Sequence, residues 1–345
     1  MKKTNRIFCM ACLVGAMAFV ASSCKKQEEK SATNINLPGF EEVVGDVNET
    51  DRAYLDFTDG NKFKWNNNDE IMVYNLNESD GTKTEKAIYA TDGNAEGKTN
   101  SIFHYNRGTQ FTTPQGHYFM FYPVSKVATG TDGLDKDNYE TFTVAATQNY
   151  TLDANDNPVL DPTSMGMACE VGSLNESFTL KHIFGVCRLR LKGVKAVERI
   201  EIEDNSFGLA GNVSMKLHEV NMNTFSEMMN NYLLANPDGT LNPSFVSQWN
   251  SYRTTLGYNV SNVSKKITLN CITDATPTGV QLVKTAQTLF YFGVRPGAFI
   301  RGFKATVYFT DNTSVEVNNY NYPKDSFRIR AGVITSFSPA QVLGE

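Results

Sequence analysis

Leu180-Lys181-His182-Ile183-Phe184-Gly185-Val186-Cys187-Arg188-Leu189-Arg190-Leu191-Lys192 alternates apolar and polar residues with a period of two. Ile183, Gly185, Cys187, Leu189 and Leu191 fall on one face, opposite Arg188, Arg190 and Lys192. Successive strand side chains point to opposite faces, so this spacing predicts a half-buried antiparallel strand. The pattern recurs on both sides. Downstream, Ile200 and Ile202 alternate with Glu201 and Glu203, Val213, Met215 and Leu217 keep the period, and Phe303, Ala305, Val307 and Phe309 oppose Lys304, Thr306 and Tyr308. Upstream, Phe63 and Trp65 alternate with Lys62, Lys64 and Asn66, and Ile71 and Val73 with Met72 and Tyr74. His117-Tyr-Phe-Met-Phe-Tyr-Pro123 reads as an aromatic strand stopped by proline. Thr58-Asp59-Gly60-Asn61, Ser79-Asp80-Gly81, Thr91-Asp92-Gly93-Asn94 and Thr310-Asp311-Asn312 separate such runs, and these residue pairs tolerate the positive φ of tight hairpins. Many short strands with such turns predict an all-β chain of two tandem β-sandwich domains, transthyretin-like or Greek-key in style.

The strongest candidate boundary is Lys192-Gly193-Val194-Lys195, which divides the chain into domains at 37–193 and 194–345. A helical insertion is expected near 221–256. Phe225, Met228, Met229 and Tyr232 share a helical face over 224–234, Asn236-Pro237-Asp238-Gly239 stops it, and Phe245, Trp249 and Tyr252 suggest a second helix over 243–256. Such stripes usually face a core; a subunit or ligand contact is the functional alternative.

The first 23 residues combine Lys2, Lys3 and Arg6 with an apolar stretch and small residues, the pattern of a secretory signal. Cys24 directly follows Ala21-Ser22-Ser23, which resembles the lipobox of bacterial lipoproteins. That resemblance implies cleavage before Cys24 and lipidation of it, with 24–36 as a flexible tether to the outer membrane. The net charge is −5, and loss of the three basic signal residues takes it to −8. An acidic chain without a basic tract argues against nucleic acid as a partner.

Cys169, Cys187 and Cys271 remain after the anchor, an odd set without CxxC spacing; one disulfide or three buried thiols both fit. Gly97-Lys98-Thr99 lacks the spacing and helix of a phosphate loop. Asp153-Ala-Asn155-Asp-Asn157 lacks the glycine and bidentate glutamate of a calcium loop, with Pro158 and Ser164 in their places. His104, His117, His182 and His218 show no ligand spacing. We therefore expect no catalytic residues, metal or cofactor.

Taken in order, several runs resemble the fimbrillin-like (Mfa-like) surface lipoproteins. They are Phe63-Lys-Trp65-Asn-Asn-Asn-Asp69-Glu-Ile71-Met-Val73-Tyr74, Phe119-Met-Phe121-Tyr122-Pro123, Ala146-Thr147-Gln148, the Leu180–Leu189 stretch, Leu209-Ala210-Gly211-Asn212 and Phe327-Arg-Ile329-Arg-Ala331-Gly332-Val-Ile-Thr-Ser-Phe337. The resemblance spans about residues 50 to 338. It implies that Trp65 and the Asp69 turn seal one end of a sandwich, that Asp69 accepts backbone N–H groups there, and that the histidine strand closes the first sandwich. It also implies a cell-surface fimbrial subunit whose first strand is removed by a protease that cuts after a basic residue, leaving a groove for a strand from the next subunit. Leu37, Phe40, Val43 and Val44 lie in the candidate removable strand, and Arg52 is the candidate cut. Val333, Ile334 and Phe337 lie in a C-terminal stretch that is either the donor or the final strand. The implied partners are other fimbrial subunits, the outer membrane through the lipid, and a host protein or glycan receptor. The alternative is a glycan-binding surface lipoprotein of a nutrient-uptake system, using exposed aromatics such as Tyr252, Trp249, Tyr320 and Tyr322.

Overall fold

The computed structural model describes residues 33–36, 40–41, 54–56, 62–76, 83–98, 100–109, 111, 117–124, 139–153, 156–161, 164–174, 177–204, 208–216, 259–299, 303–318, 327–329, 331–332, 334–337 and 340–342. The expectations for Cys24, Leu37, Val43, Val44, Arg52, Val333 and the 221–256 insertion lie outside the described residues. So do those for Tyr320 and Tyr322. Among the described residues the fold is all-β, built of packed sheets without an α-helix.

The first large sheet is antiparallel throughout. Its order is Lys181–His182, Met167–Val171, Tyr118–Tyr122, Glu70–Leu76, Lys83–Thr91 and Phe103–Gly108. Its two central strands are not half-buried as expected. Ile71, Val73, Met120 and Tyr122 pack into one apolar cluster, and Met72, Tyr74, Phe119 and Phe121 into another. Both faces are apolar in sequence, and both are covered, as in any sheet inside a layered structure.

The second sheet runs Thr33–Asn36, Ser314–Asn318, Phe303–Phe309, Ala196–Asp204, Lys266–Asn270 and Thr147–Asn149, with Val280–Gln281 also on Ala196–Asp204. Here the alternation holds. Ile200, Ile202, Ile267, Leu269, Ala305 and Val307 are buried, while the other face carries Lys266–Glu201 and Lys304–Glu316 ion pairs at 2.5 and 3.0 Å. A register shift between Val197 and Arg199 inserts one residue, which brings Val197 onto the same buried face as Ile200.

The third sheet runs Phe40–Glu41, Ile334–Phe337, Gly185–Lys192 and Thr288–Val294, with Ala340–Gln341 also on Gly185–Lys192. Cys187, Leu189 and Leu191 turn inward onto the cluster that holds Val197, Ile200 and Val307 of the second sheet. A smaller sheet of Asn259–Ser264, Ala210–Lys216 and Tyr139–Val144 adds Val213, Phe142 and Val144 to that core.

Two sequence expectations change in this frame. The stretch from Leu180 to Lys192 is not one strand: Lys181–His182 ends the first sheet, and Gly185–Lys192 belongs to the third. The break falls at Ile183-Phe184, where Ile183 N–H donates to the Gly166 carbonyl at 2.9 Å and both side chains are buried. The histidine strand thus does not close a sandwich made of residues before 193; its main part pairs with Thr288–Val294, Ile334–Phe337 and Ala340–Gln341. The 193–195 link, where the sequence suggests a domain boundary, joins Gly185–Lys192 to Ala196–Asp204, two strands whose buried residues share one core.

Trp65 is fully buried, edge-on to Phe103 at 4.9 Å and to Tyr122 at 5.3 Å. The turn behind it is closed by Asp69, which accepts the Asn66 N–H at 2.5 Å, as expected. Thr91 locks the same turn: its hydroxyl accepts the Asp69 N–H at 3.0 Å and donates to the Asn66 carbonyl at 2.8 Å.

Candidate functional site: the amino-terminal edge strands

Thr33–Asn36 forms a strand at the end of the expected tether. It runs parallel to Ser314–Asn318, aligning Thr33 with Val315 and Ile35 with Val317. Four residues later, Phe40–Glu41 runs antiparallel to Ile334–Phe337, aligning Phe40 with Phe337 and Glu41 with Ser336. Each short strand occupies the end of its sheet. One segment of the chain therefore covers an edge of the second sheet and then an edge of the third. The span from Asn36 to Phe40 is four Cα steps, about 14 Å at full extension, enough to cross the roughly 10 Å between packed sheets. Val317 and Phe337, on the two covered strands, belong to the same core cluster.

Without this segment, Ser314–Asn318 and Ile334–Phe337 would each present an unpaired ladder of N–H and C=O groups. Such an edge is a template for another strand. The pairing that covers it is short: four aligned residues on one sheet and two on the other. At about 1 kcal/mol net per hydrogen bond, the ladders hold the segment by only a few kcal/mol.

Among the candidate site residues, Phe40, Ile334 and Phe337 are thus brought together. Ile334 and Phe337 are both 1% exposed. They sit on an inner strand of the third sheet, parallel to Gly185–Lys192, where Val186 aligns with Ile334 and Arg188 with Ser336. Arg188 Nε donates to Ser336 Oγ at 3.0 Å, and Arg190 Nε to the Phe337 carbonyl at 2.8 Å. Withdrawing this strand would open the core around Ile334 and Phe337.

Sequence reasoning gave Gln148 no physical role, although it lies in one of the family-like runs. Its side chain is fully buried between two sheets. The amide nitrogen donates to the Gly293 carbonyl at 2.7 Å, and the amide oxygen accepts the Gly293 N–H at 2.9 Å. Gly293 has no room for a side chain: a Cβ there would lie 2.2 Å from the Ser164 carbonyl oxygen.

Cys169, Cys187 and Cys271 are all buried and none of the three is in a disulfide, so of the two alternatives the structure has buried thiols. Burial pushes the Cys187 and Cys271 thiols well above their ordinary pKa, so neither is poised as a nucleophile. Burial drives His182 down to about 3, which keeps it neutral, and it lies in a different sheet from Cys187. Asp153 and Asn157 close their loop on each other, Asn157 N–H donating to Asp153 Oδ1 at 2.9 Å.

No protein-family model matches this chain, and no curated protein matches it. Its fold is similar in outline to solved structures of candidate cell adhesion proteins. One from Bacteroides ovatus is 12% identical with a TM-score of 0.42, covering 88% of this chain and 92% of that one. One from Bacteroides fragilis is 9% identical with a TM-score of 0.37, covering 92% and 94%. One from Parabacteroides distasonis is 9% identical with a TM-score of 0.35, covering 91% and 87%.

Proposed function

We propose that this chain is a non-enzymatic, surface-exposed fimbrial subunit or fimbrillin-like adhesin, exported as a lipoprotein through Cys24, that assembles by β-strand addition. The observation that carries this reading is the placement of Thr33–Asn36 and Phe40–Glu41 over two sheet edges, upstream of Arg52. A cut after Arg52 would sever those two strands, and the lipid, from the rest of the chain. Ser314–Asn318 and Ile334–Phe337 would then form the two lips of a groove that a neighbouring subunit's strand fills. Main-chain hydrogen bonds supply affinity in such a joint, and alternate side-chain pockets supply selectivity. The order of sequence motifs that resembles the fimbrillin-like family supports the same reading.

The test is limited trypsin digestion of the protein lacking residues 1–23. We expect a cut after Arg52, loss of the amino-terminal segment and SDS-resistant ladders. A chain that is cut there yet stays monomeric at high concentration would rule out strand-addition polymerisation. A chain that resists cutting would leave Cys24 as a permanent tether and restrict the role to an anchor or a surface binder.

A further inference from the structure

Away from the edge strands, one face of the first sheet forms the floor of a cleft of about 820 Å3. Ile71, Val73 and Met120 supply its buried apolar base. Tyr89 and Phe103, from the two outer strands, continue it, and Phe178 forms a wall. These aromatic surfaces are held in advance. Phe103 packs against Phe178 at 5.8 Å and is braced by the buried Trp65 at 4.9 Å, while Tyr89 packs edge-on to Tyr105 at 6.1 Å. The rim differs in kind: Asn94, Asn100 and Ser177 present amides and a hydroxyl at exposed positions. Asp92 and Lys98 add one charge of each sign, so the described residues of the rim carry no net charge. Asp92 Oδ1 is already engaged by the Asn94 N–H at 3.0 Å.

We propose that this cleft is a binding site for a short neutral saccharide. Its volume lies within the roughly 300–1,000 Å3 of ordinary ligand pockets, and it shows their pattern of apolar floor with a few convergent polar groups. Sugar rings present C–H faces that pack on the negative faces of aromatic rings. They also present hydroxyls that both donate and accept, as amide side chains do. Described rim residues that balance one positive against one negative charge do not select an anion. A polar, solvent-open rim would leave an acyl chain partly in water, which disfavours a lipid. The site lies on a different sheet from both groove edges, so it would serve an assembled subunit and a monomer alike.

The test uses the full chain in lipid nanodiscs, titrated by calorimetry with neutral hexasaccharides of glucose, mannose, galactose, xylose and N-acetylglucosamine, and with decanoate as an apolar probe. We expect at least one saccharide to bind with a Kd of about 1 mM or tighter. Phe178→Ala and the exposed-rim variant Asn100→Ala should each weaken that binding by about tenfold, and Ser177→Trp should abolish it by filling the mouth. Circular dichroism of Asn100→Ala and Ser177→Trp should match the parent. Failure of every saccharide to bind would overturn the proposal. So would saccharide binding unchanged in both Asn100→Ala and Ser177→Trp, or binding of decanoate alone.

Discussion

Gln148 behaves as a piece of backbone. Its amide presents one donor and one acceptor to Gly293, as a neighbouring strand would, and so ties the end of the second sheet to a strand of the third. Gln148→Leu keeps much of the volume but leaves the buried N–H and C=O of Gly293 without this partner. We expect a loss of about 2–4 kcal/mol in urea unfolding, from two desolvated backbone groups. A loss below about 0.5 kcal/mol would mean that water or a relaxed backbone replaces the amide. Asp69 is the other telling polar residue. Burial, with Glu96 adding to it, raises its carboxyl from 3.8 to about 6, against the pull of the Asn66 N–H and the Tyr122 hydroxyl. Between about pH 4 and 6 the folded protein holds a proton there that the unfolded chain has released. Stability is therefore lost as pH rises through that window. Asp69→Asn removes the titration while keeping an acceptor for Asn66. Relative to that variant, the parent should lose about 1–2 kcal/mol between pH 4 and 7, a figure reduced for partial solvent screening. A stability difference that stays constant with pH would show that the local hydrogen bonds outweigh burial.

The short strands Thr33–Asn36 and Phe40–Glu41 make a separate prediction, because they protect edges that are otherwise complete. Deleting residues 33–41 should cost a few kcal/mol, at about 1 kcal/mol net per hydrogen bond, and should produce concentration-dependent association. A synthetic peptide of residues 33–44 added in trans should reverse that association, read by light scattering. Association that the peptide leaves untouched would place the sticky surface elsewhere. The edges were only partly visible in the sequence. A hydrophobic run near the amino terminus reads as a strand, but its partners lie some 280 residues away, and no local period names them. By contrast, Ala196–Asp204 and the main part of Gly185–Lys192 were legible, because one face of each is polar and the alternation survives. Glu70–Leu76 and Tyr118–Tyr122 are buried on both faces, so alternation cannot say what covers the second one. The break at Ile183-Phe184 was invisible for a related reason. The apolar period continues through it, whereas its setting is distant: Gly166 packs so close to the Phe184 ring that a Cβ would come within 2.6 Å. The cleft, likewise, is assembled from strands and a loop whose side chains look individually ordinary.

Over the whole molecule, hydrogen bonding repeatedly crosses residue 193. Thr147–Asn149 pairs with Lys266–Asn270, Tyr139–Val144 with Ala210–Lys216, and Gly185–Lys192 with Thr288–Val294. Leu76, Phe119 and Phe121 of the first sheet share a core cluster with Ile200, Ile267 and Val307 of the second. Two independent domains would each carry a core of their own and exchange few contacts. Here, removal of everything after residue 193 would strip both neighbours from Gly185–Lys192 and expose Cys187, Leu189 and Leu191, which are at most 2% exposed in the intact chain. A fragment of residues 24–193 should therefore fail to fold as that half does in the whole protein. Its near-UV circular dichroism should be weak and its amide proton signals poorly dispersed. The intact chain should unfold in urea with coincident transitions by fluorescence and far-UV circular dichroism, as a single cooperative unit does. A well-dispersed spectrum from the fragment, or two separated transitions in the whole protein, would restore the division at 193. It would also make the crossing strands a docking contact between domains rather than the common core on which both groove edges rest.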